Sequence, residues 1–471
     1  MINVRHSWSR LQQQAQQVAL RAGDRHIRLA VTGLSGAGKT AFVTALVNQL
    51  TLGTDKLPLF AAAREHRLIG VKRVMQPDLN IASFDYQGAI AQLTGEPPQW
   101  PSSTRSISEL RLALRYQPTK GLRAKLVDSA TLYLDIIDYP GEWLLDLPML
   151  KLDFVQWSKE MQTQAQKFSH SPLFADFTQA LSALDLAAPA DEQVLAKLSE
   201  HYQTLLVDLV NEHGFYQVQP GRMLLPGELA GAPILSFFPL LTVTDDEWAA
   251  LNNSDKHSFF HVLQHRYQQY IAKVVKPFYR DYFCHFDRQV VLVDCLGGLN
   301  RGKYQFEDMT SALEQILESF QFGQNSLLKR LFAPKIDKLL FAASKVDHIS
   351  RDQQANLLHL LTHLLKSGQQ QAKFDGCIVE TMAISAIKAS KHGMVDTAAG
   401  PCEVVQGNAL DTGLPLTIFP GEVPTSLPQA DFWSSQGFDF PSFAPPLALN
   451  KRFEHIRMDH LFEFILGDKL L

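Results

Sequence analysis

One stretch constrains this chain more than any other: GLSGAGKTAF, from Gly33 to Phe42, set between the apolar run RLAV and the sequence TALVNQL. Gly33, Gly38, Lys39 and Thr40 satisfy the spacing G-x-x-x-x-G-K-[ST]. The flanks supply the order that spacing needs, a strand, a glycine-rich turn, then a helix. Glycine lets successive backbone N–H groups turn inward around an anion. Gly33, Ser35, Gly36, Ala37, Gly38, Lys39, Thr40 and Ala41 are therefore expected to wrap a polyphosphate. Lys39 would set its ammonium beside the β- and γ-phosphates, and the Thr40 hydroxyl would bind Mg²⁺. The helix opening near Thr40 adds the positive end of its dipole.

The chain has 471 residues, enough for two or three domains, and 46% of them are hydrophobic. A formal charge of -4 disfavours a general nucleic-acid binder, whose phosphate contacts need a basic surface. Cys284, Cys295, Cys377 and Cys402 show no paired short spacing, so neither a zinc site nor a disulfide framework is indicated and a reducing cytoplasm fits. No apolar run approaches the roughly 20 residues that cross a bilayer. Membrane contact is expected only at the periphery, through a partner.

Along the chain, WSRLQQQAQQVALRA reads as a helix leading into the strand HIRLAVTG. LIGVKRVM reads as a strand and DYQGAIAQLTG as a helix. SELRLALRYQ and SATLYLDIIDYPGEW read as strands able to pair as an antiparallel hairpin. From about 144 to 288 long amphipathic helices dominate. Phe259, Leu263, Tyr267, Tyr270, Val274 and Phe278 fall at steps of three and four on one face, with Pro277 expected to bend or end that helix. Alternating strands and helices return in RQVVLVDCLGG, FEDMTSALEQILESF, DKLLFAASKVDHI, QQANLLHLLTHLLKS and GCIVETMAISAI. Residues from about 400 to 447 are rich in Pro and Gly, and FEHIRMDHLFEFIL reads as a closing helix. The expected fold is a doubly wound α/β nucleotide core over 24–143 and 289–400, a helical insertion over 144–288, and a segment over 401–471 packing on the core.

A nucleotide site of this kind needs an acidic residue at a strand end to reach the metal. Asp138-Tyr139-Pro140-Gly141 and Asp294-Cys295-Leu296-Gly297 both offer D-x-x-G. Chain order favours Asp138, on the strand that completes the hairpin, with the Gly141 N–H set to meet the γ-phosphate. Asp294 is then a structural or loop-capping residue. Asp135 lies three residues before Asp138, on the opposite strand face, and suits a salt bridge.

Ser344-Lys345-Val346-Asp347 follows another strand, and Ser385 and Ala386 follow the next. Here the sequence resembles the GTPase (G-protein) family of phosphate-loop proteins, whose base motif is Asn/Thr-Lys-x-Asp. The resemblance implies that Asp347 accepts from guanine N1–H and N2–H₂, that Lys345 packs along the base, and that a backbone N–H among Ser385, Ala386 and Ile387 meets the guanine carbonyl. Ser344 replaces Asn and Ile387 replaces Lys. A carboxylate suits guanine's two donors and is left unpaired by adenine. The resemblance also asks for a switch Thr before the hairpin, to bind Mg²⁺ and the γ-phosphate. Thr104 is the choice, with Ser102 and Ser103 as neighbours that could replace it. Glu142 stands where many members carry a water-positioning Gln, which implies slow hydrolysis. Arg105, beside Thr104, is either a charge-neutralising group or a solvated surface residue.

RLAVTGLSGAGKTAF, WPSSTRSISELRL, LYLDIIDYPGEWLLDLPML, FDRQVVLVDCLGGLNRG, FAASKVDHI and FPGEVP together resemble the YcjX-like family of bacterial stress-associated phosphate-loop GTPases. The resemblance implies GTP/GDP and Mg²⁺ as ligands, catalysis resting on Lys39, Thr104, Gly141 and Glu142, and metal contacts from Thr40, Thr104 and Asp138. It further implies a role in the phage-shock or envelope-stress response with a protein partner, a membrane protein being one candidate. Read from the residues alone, an ATPase or small-molecule kinase, a nucleotide-holding scaffold and a membrane-remodelling GTPase stay open. So does the oligomeric state.

Overall fold

Strand β1 (Arg25–Gly33) is apolar on both faces. Ile27, Leu29 and Val31 point one way and Ala30 the other, all essentially buried. Such a strand belongs in the middle of a sheet covered on both sides. In a computed structural model that describes residues 25–120, 127–319, 336–366, 377–398, 400–428, 432–433 and 437–471, it does lie there. The helix expected over residues 8–22 falls outside the described residues.

β1 pairs in parallel with β5 (Ala130–Asp138) on one side and β6 (Arg288–Val293) on the other. Parallel β7 (Lys338–Ala343) and β8 (Ile378–Ala383) continue beyond β6. On the opposite flank β4 (Ser108–Tyr116) runs antiparallel to β5, with Ser108 facing Asp138, so the expected hairpin is present. β2 (Leu68–Val74) extends that flank and the short β3 (Ala82–Ser83) pairs with β4. The fold is mixed α/β with a mostly parallel sheet. The chain leaves β1 towards β5 and later returns to β6, so a crevice opens at the carboxyl ends of β1 and β6.

One sheet face is covered by α1 (Lys39–Leu52) and α11 (Met458–Leu466). From Phe42 to Leu50 every residue of α1 is buried. Its polar Asn48 and Gln49 donate to the Lys451 carbonyl at 2.9 Å and the Ala386 carbonyl at 3.0 Å. α2 (Tyr86–Leu93), capped by Asp85, packs beside α1. α11 buries Met458, Leu461, Phe462, Ile465 and Leu466 at helical steps against the same core. It is shorter than the sequence suggests, because Ile456 leaves the helix to bridge Ser385.

The other face is covered by α9 (Lys303–Ser319), α10 (Gln354–Leu364) and the helices between β5 and β6. These begin with a 3-10 segment over Gly141–Lys151. They continue through α3 (Phe154–Thr163), α4 (Leu173–Ser182), α5 (Glu192–Asn211), α6 (Asp245–Asn252) and α7 (Phe259–Tyr270). Their apolar residues join Ala30 and Ile137 of the sheet in one continuous cluster. The stripe from Phe259 to Phe278 is buried throughout. Pro277 neither ends nor sharply breaks this run, which passes through π-helical turns at Ile271–Val275 and Phe278–Tyr282. Wide turns are a known way to absorb a residue without an N–H donor.

The Pro- and Gly-rich tail hides order. β9 (Lys391–Thr397), β10 (Gly400–Asn408) and β11 (Pro415–Ile418) form a separate antiparallel sheet. Among the described residues no helix is long and apolar enough to cross a membrane.

Phe462 is fully buried and its ring lies 5.8 Å from that of Phe60. Phe462→Ala is expected to destabilise the chain by about 3–5 kcal/mol. Urea unfolding would measure it, and a loss below ~1 kcal/mol would mean that α11 is not part of the sheet's core.

Candidate functional site

At the carboxyl end of β1 the chain turns through Gly36 and Gly38, at φ +81° and +82°, left-handed values that favour glycine. The turn delivers Lys39 and Thr40 to the start of α1, whose first residues line the crevice. Lys39 Nζ donates to the Gly33 carbonyl at 2.7 Å. Gly33 is pinned from two sides. A Cβ on it would stand 2.6 Å from the Leu292 carbonyl oxygen of β6, and a Cβ on Gly141 would collide with the Gly33 carbonyl.

The side chains assigned to metal come together. Thr40 Oγ1 lies 3.2 Å from Thr104 Oγ1 and donates to the Ser102 carbonyl at 3.0 Å. Thr104 Oγ1 donates to Asp138 Oδ2 at 2.5 Å. Asp138 is buried, and its Oδ1 has no hydrogen-bond partner among the described residues. Burial pushes its carboxyl up to about 6, against the Thr104 hydrogen bond and the nearby Lys39 charge. Two hydroxyls and a carboxylate with a free buried oxygen are hard donors that suit Mg²⁺, which binds few protein groups and fills its shell with phosphate and water. No cluster of three or more His, Cys, Asp or Glu able to hold a metal occurs among the described residues.

The second D-x-x-G does different work. Asp294 caps α8 (Cys295–Asn300) by accepting the Gly297 N–H at 2.9 Å. It also accepts Lys345 Nζ at 2.6 Å. Burial works against ionisation here, but the Lys345 charge and hydrogen bond and the Gly297 N–H hold this carboxyl below its usual value. Asp135 pairs bidentately with Arg111 across β4 and β5.

At the far end of the crevice, Lys345 adopts φ +60°, an uncommon value for a side chain with a Cβ. Asp347 is buried at 1% exposure. Its Oδ2 accepts the Ala389 and Ser390 N–H groups at 2.7 and 3.2 Å, while its Oδ1 has no partner among the described residues. Only Oδ1 therefore has both lone pairs available. Ser344 is turned back to the Val293 carbonyl. The Ser385 N–H is already bonded to the Ile456 carbonyl at 3.1 Å, and Ser385 Oγ donates to Ile387 at 2.9 Å. Among the described residues the Ala386 N–H has no such acceptor.

One cleft runs from Gly36–Phe42 past Thr104 to Lys345, Asp347 and Ser385–Ile387. Further wall residues escaped the sequence reading: Trp100, His348, Leu410, Ser442 and Phe443. Trp100 carried a readable signal, an aromatic in the polar turn PPQWPSST. Leu410, Ser442 and Phe443 carried none. A second cleft opens from the loop toward the helices, lined by Lys39, Thr104, Arg105 and Glu142. Glu142 is 4% exposed and its Oε2 has no partner among the described residues, whereas Arg105 is exposed.

Sheet order and crevice define an α/β protein whose site spans the switch point of its parallel strands. The sequence matches the YcjX-like family, DUF463, over residues 27–470, and the chain belongs to that family. A protein named Ras-like GTPase YcjX from Shewanella oneidensis is 61% identical over 479 residues, covering 98% of this chain and 99% of that protein. Its namesake from Escherichia coli K12 is 46% identical over 466 residues, covering 98% and 99%.

Asp138 has a folded-state carboxyl value above its ordinary one, 3.8 raised to about 6. Within that window the native state keeps a proton that the unfolded chain has lost, so this group's contribution to stability falls as pH rises. Asp138→Asn removes the effect. Without added ligand, the variant's melting temperature relative to the wild type should climb by roughly 1–3 °C between about pH 5 and about pH 7.5. A flat difference in differential scanning fluorimetry would contradict the burial assigned to Asp138.

Proposed function

We propose that the chain binds GTP with Mg²⁺, hydrolyses it slowly, and acts as a nucleotide-controlled switch in the bacterial envelope or phage-shock stress response. One observation carries the reading: a single cleft is lined by Lys39, Thr40 and Thr104 at one end, where Thr104 donates to the buried Asp138, and by the half-partnered Asp347 carboxylate at the other. The relatives' name, Ras-like GTPase, supports it.

In this reading Gly33, Ser35, Gly36, Ala37, Gly38 and Ala41 frame the phosphates and Lys39 neutralises them. Thr40, Thr104 and Asp138 hold Mg²⁺, which supplies charge stabilisation to the γ-phosphoryl group. The Gly141 N–H marks the γ-phosphate position. Asp347 Oδ1 accepts from the guanine edge, Lys345 lies along the base, and Ala386 presents an N–H to the guanine carbonyl beside Ser385 and Ile387. Glu142 puts a carboxylate where a water must be oriented next to negative phosphate, an unfavourable pairing that suits slow turnover. That residue also favours the second reading, a scaffold that holds nucleotide without meaningful turnover.

Residues 144–288 are the segment expected to respond to nucleotide state, since they begin immediately after Gly141, while 24–143 and 289–400 form the nucleotide core and 401–471 pack on it. We place the protein in the cytoplasm, reaching the inner membrane through a protein partner.

Competition against a fluorescent GDP tests the base assignment. GTP should displace it and ATP should not. Asp347→Ala should weaken GTP binding by about tenfold to a hundredfold, the effect of removing a buried charged acceptor, and leave ATP weak. If ATP competes as well as GTP in the wild type, the guanine assignment is wrong. Single-turnover assays with Lys39→Ala as a control separate slow hydrolysis from none.

A further inference from the structure

The cleft has a wall that comes from neither the phosphate loop nor the loop after β7. Leu410, Ser442 and Phe443 supply it from the C-terminal region. Phe443 is fully buried. Its ring meets the His348 ring edge-on, at 5.1 Å between centroids and 83° between planes. It also sits 2.7 Å from where a Cβ on Gly407 would be, so a side chain there would push the ring out. Main-chain bonds fix the wall to β10. Ala409 bridges Phe443, the Leu410 N–H reaches the Ser442 carbonyl at 3.0 Å, and the Ala444 N–H reaches the Asn408 carbonyl at 2.8 Å. His348 Nδ1 bonds the Pro441 carbonyl at 3.0 Å, which ties the wall to the loop carrying Asp347.

The carbonyl of Phe443 accepts one more bond, from the indole Nε1 of Trp100 at 2.9 Å. Trp100 opens the short segment Trp100–Thr104. The Ser102 carbonyl of that segment accepts from Thr40, and its Thr104 donates to Asp138. Five residues thus touch both ends of the cleft. One end of the segment holds the wall over the base loop, and the other reaches the hydroxyl–carboxylate group at the phosphate loop.

We propose that the Trp100–Phe443 hydrogen bond is a latch that couples the two ends of the site: docking of Thr104 at Thr40 and Asp138 holds Trp100 in place, and Trp100 holds the wall at Ser442–Phe443 closed over the base. The proposal rests on the nucleotide reading given above. When the Thr104 end is released, as on loss of the γ-phosphate, Trp100 moves with it and the wall loosens. The base is then held longest in the triphosphate state. Trp100 and Phe443 act here as positioning residues.

The test compares dissociation of fluorescent GDP with that of a fluorescent, slowly hydrolysed GTP analogue from the full chain with Mg²⁺. In the wild type the GTP analogue should leave several-fold more slowly. Trp100→Phe keeps an aromatic ring at this half-buried position and deletes the donor together with the smaller ring of the indole. It should speed release of the GTP analogue about tenfold, the effect of one hydrogen bond, and change GDP release by less than about threefold. Phe443→Leu keeps the backbone acceptor, so it should speed both nucleotides alike and preserve their ratio. Hydrogen exchange of the Ala444 amide should be slower with the GTP analogue than with GDP in the wild type and equal in Trp100→Phe. Equal acceleration of both nucleotides by Trp100→Phe, or no change, overturns the latch while leaving guanine binding intact. Failure of the wild type to retain either nucleotide removes the functional reading and the latch together.

Discussion

The contact on which this molecule depends is one of backbone with backbone, at Gly33. Leu292 of β6 leaves no space for a Cβ on it, and the Gly33 carbonyl leaves none for a Cβ on Gly141. Three chain segments far apart in sequence therefore meet at van der Waals limits where the phosphate loop begins. The same device is repeated one step outward. A Cβ on Gly221 would collide with the Glu142 carbonyl, and Asp146 accepts the Gly221 and Arg222 N–H groups at 2.7 and 3.2 Å. Arg222 then lies over the Trp143 ring at 3.3 Å. Packing this tight transmits displacement rather than absorbing it, so a shift at Gly141 is felt by the helices beyond β5.

Two carboxylates with the same D-x-x-G context show how partners, not motif, decide a role. Asp138 meets a neutral hydroxyl and keeps one oxygen unpaired among the described residues, so burial dominates and raises its carboxyl to about 6. Asp294 meets an ammonium and a helix N-terminal N–H, and these outweigh the same burial. One keeps an oxygen without a partner among the described residues, and the other already has a cation beside it in Lys345.

Much of the sheet was legible because its strands are short apolar runs bounded by turns, and because β1, β5, β6 and β7 end on recognisable residues. The places of Gly33, Thr40, Asp138 and Asp347 in the fold could be read for the same reason, since each lies at or shortly after the end of a strand. What could not be read was non-local. β9 to β11 sit in a stretch whose Pro and Gly content argues against strands, and their order comes from pairing with one another. Phe443 lines the cleft only because β10 and Gly407 carry it there. Asp347 was visible as an acceptor, but the Ala389 and Ser390 N–H groups that occupy its Oδ2 were not, because they belong to a turn with no sequence mark.

The neighbours of β1 carry a consequence for how the molecule comes to exist. β1 must be flanked by β6, and the Arg28 N–H bonds Asp287 at 2.8 Å across 259 residues of chain. The helices between β5 and β6 share their apolar core with the sheet face that β6 helps to form, so neither surface is covered before the other is complete. Loop closure over such a span is slow, and chains of this size gain structure in stages as they are synthesised. Gly33 takes up its final surroundings only once Leu292 has arrived beside it. The phosphate loop thus leaves the ribosome well before the strand that completes its surroundings.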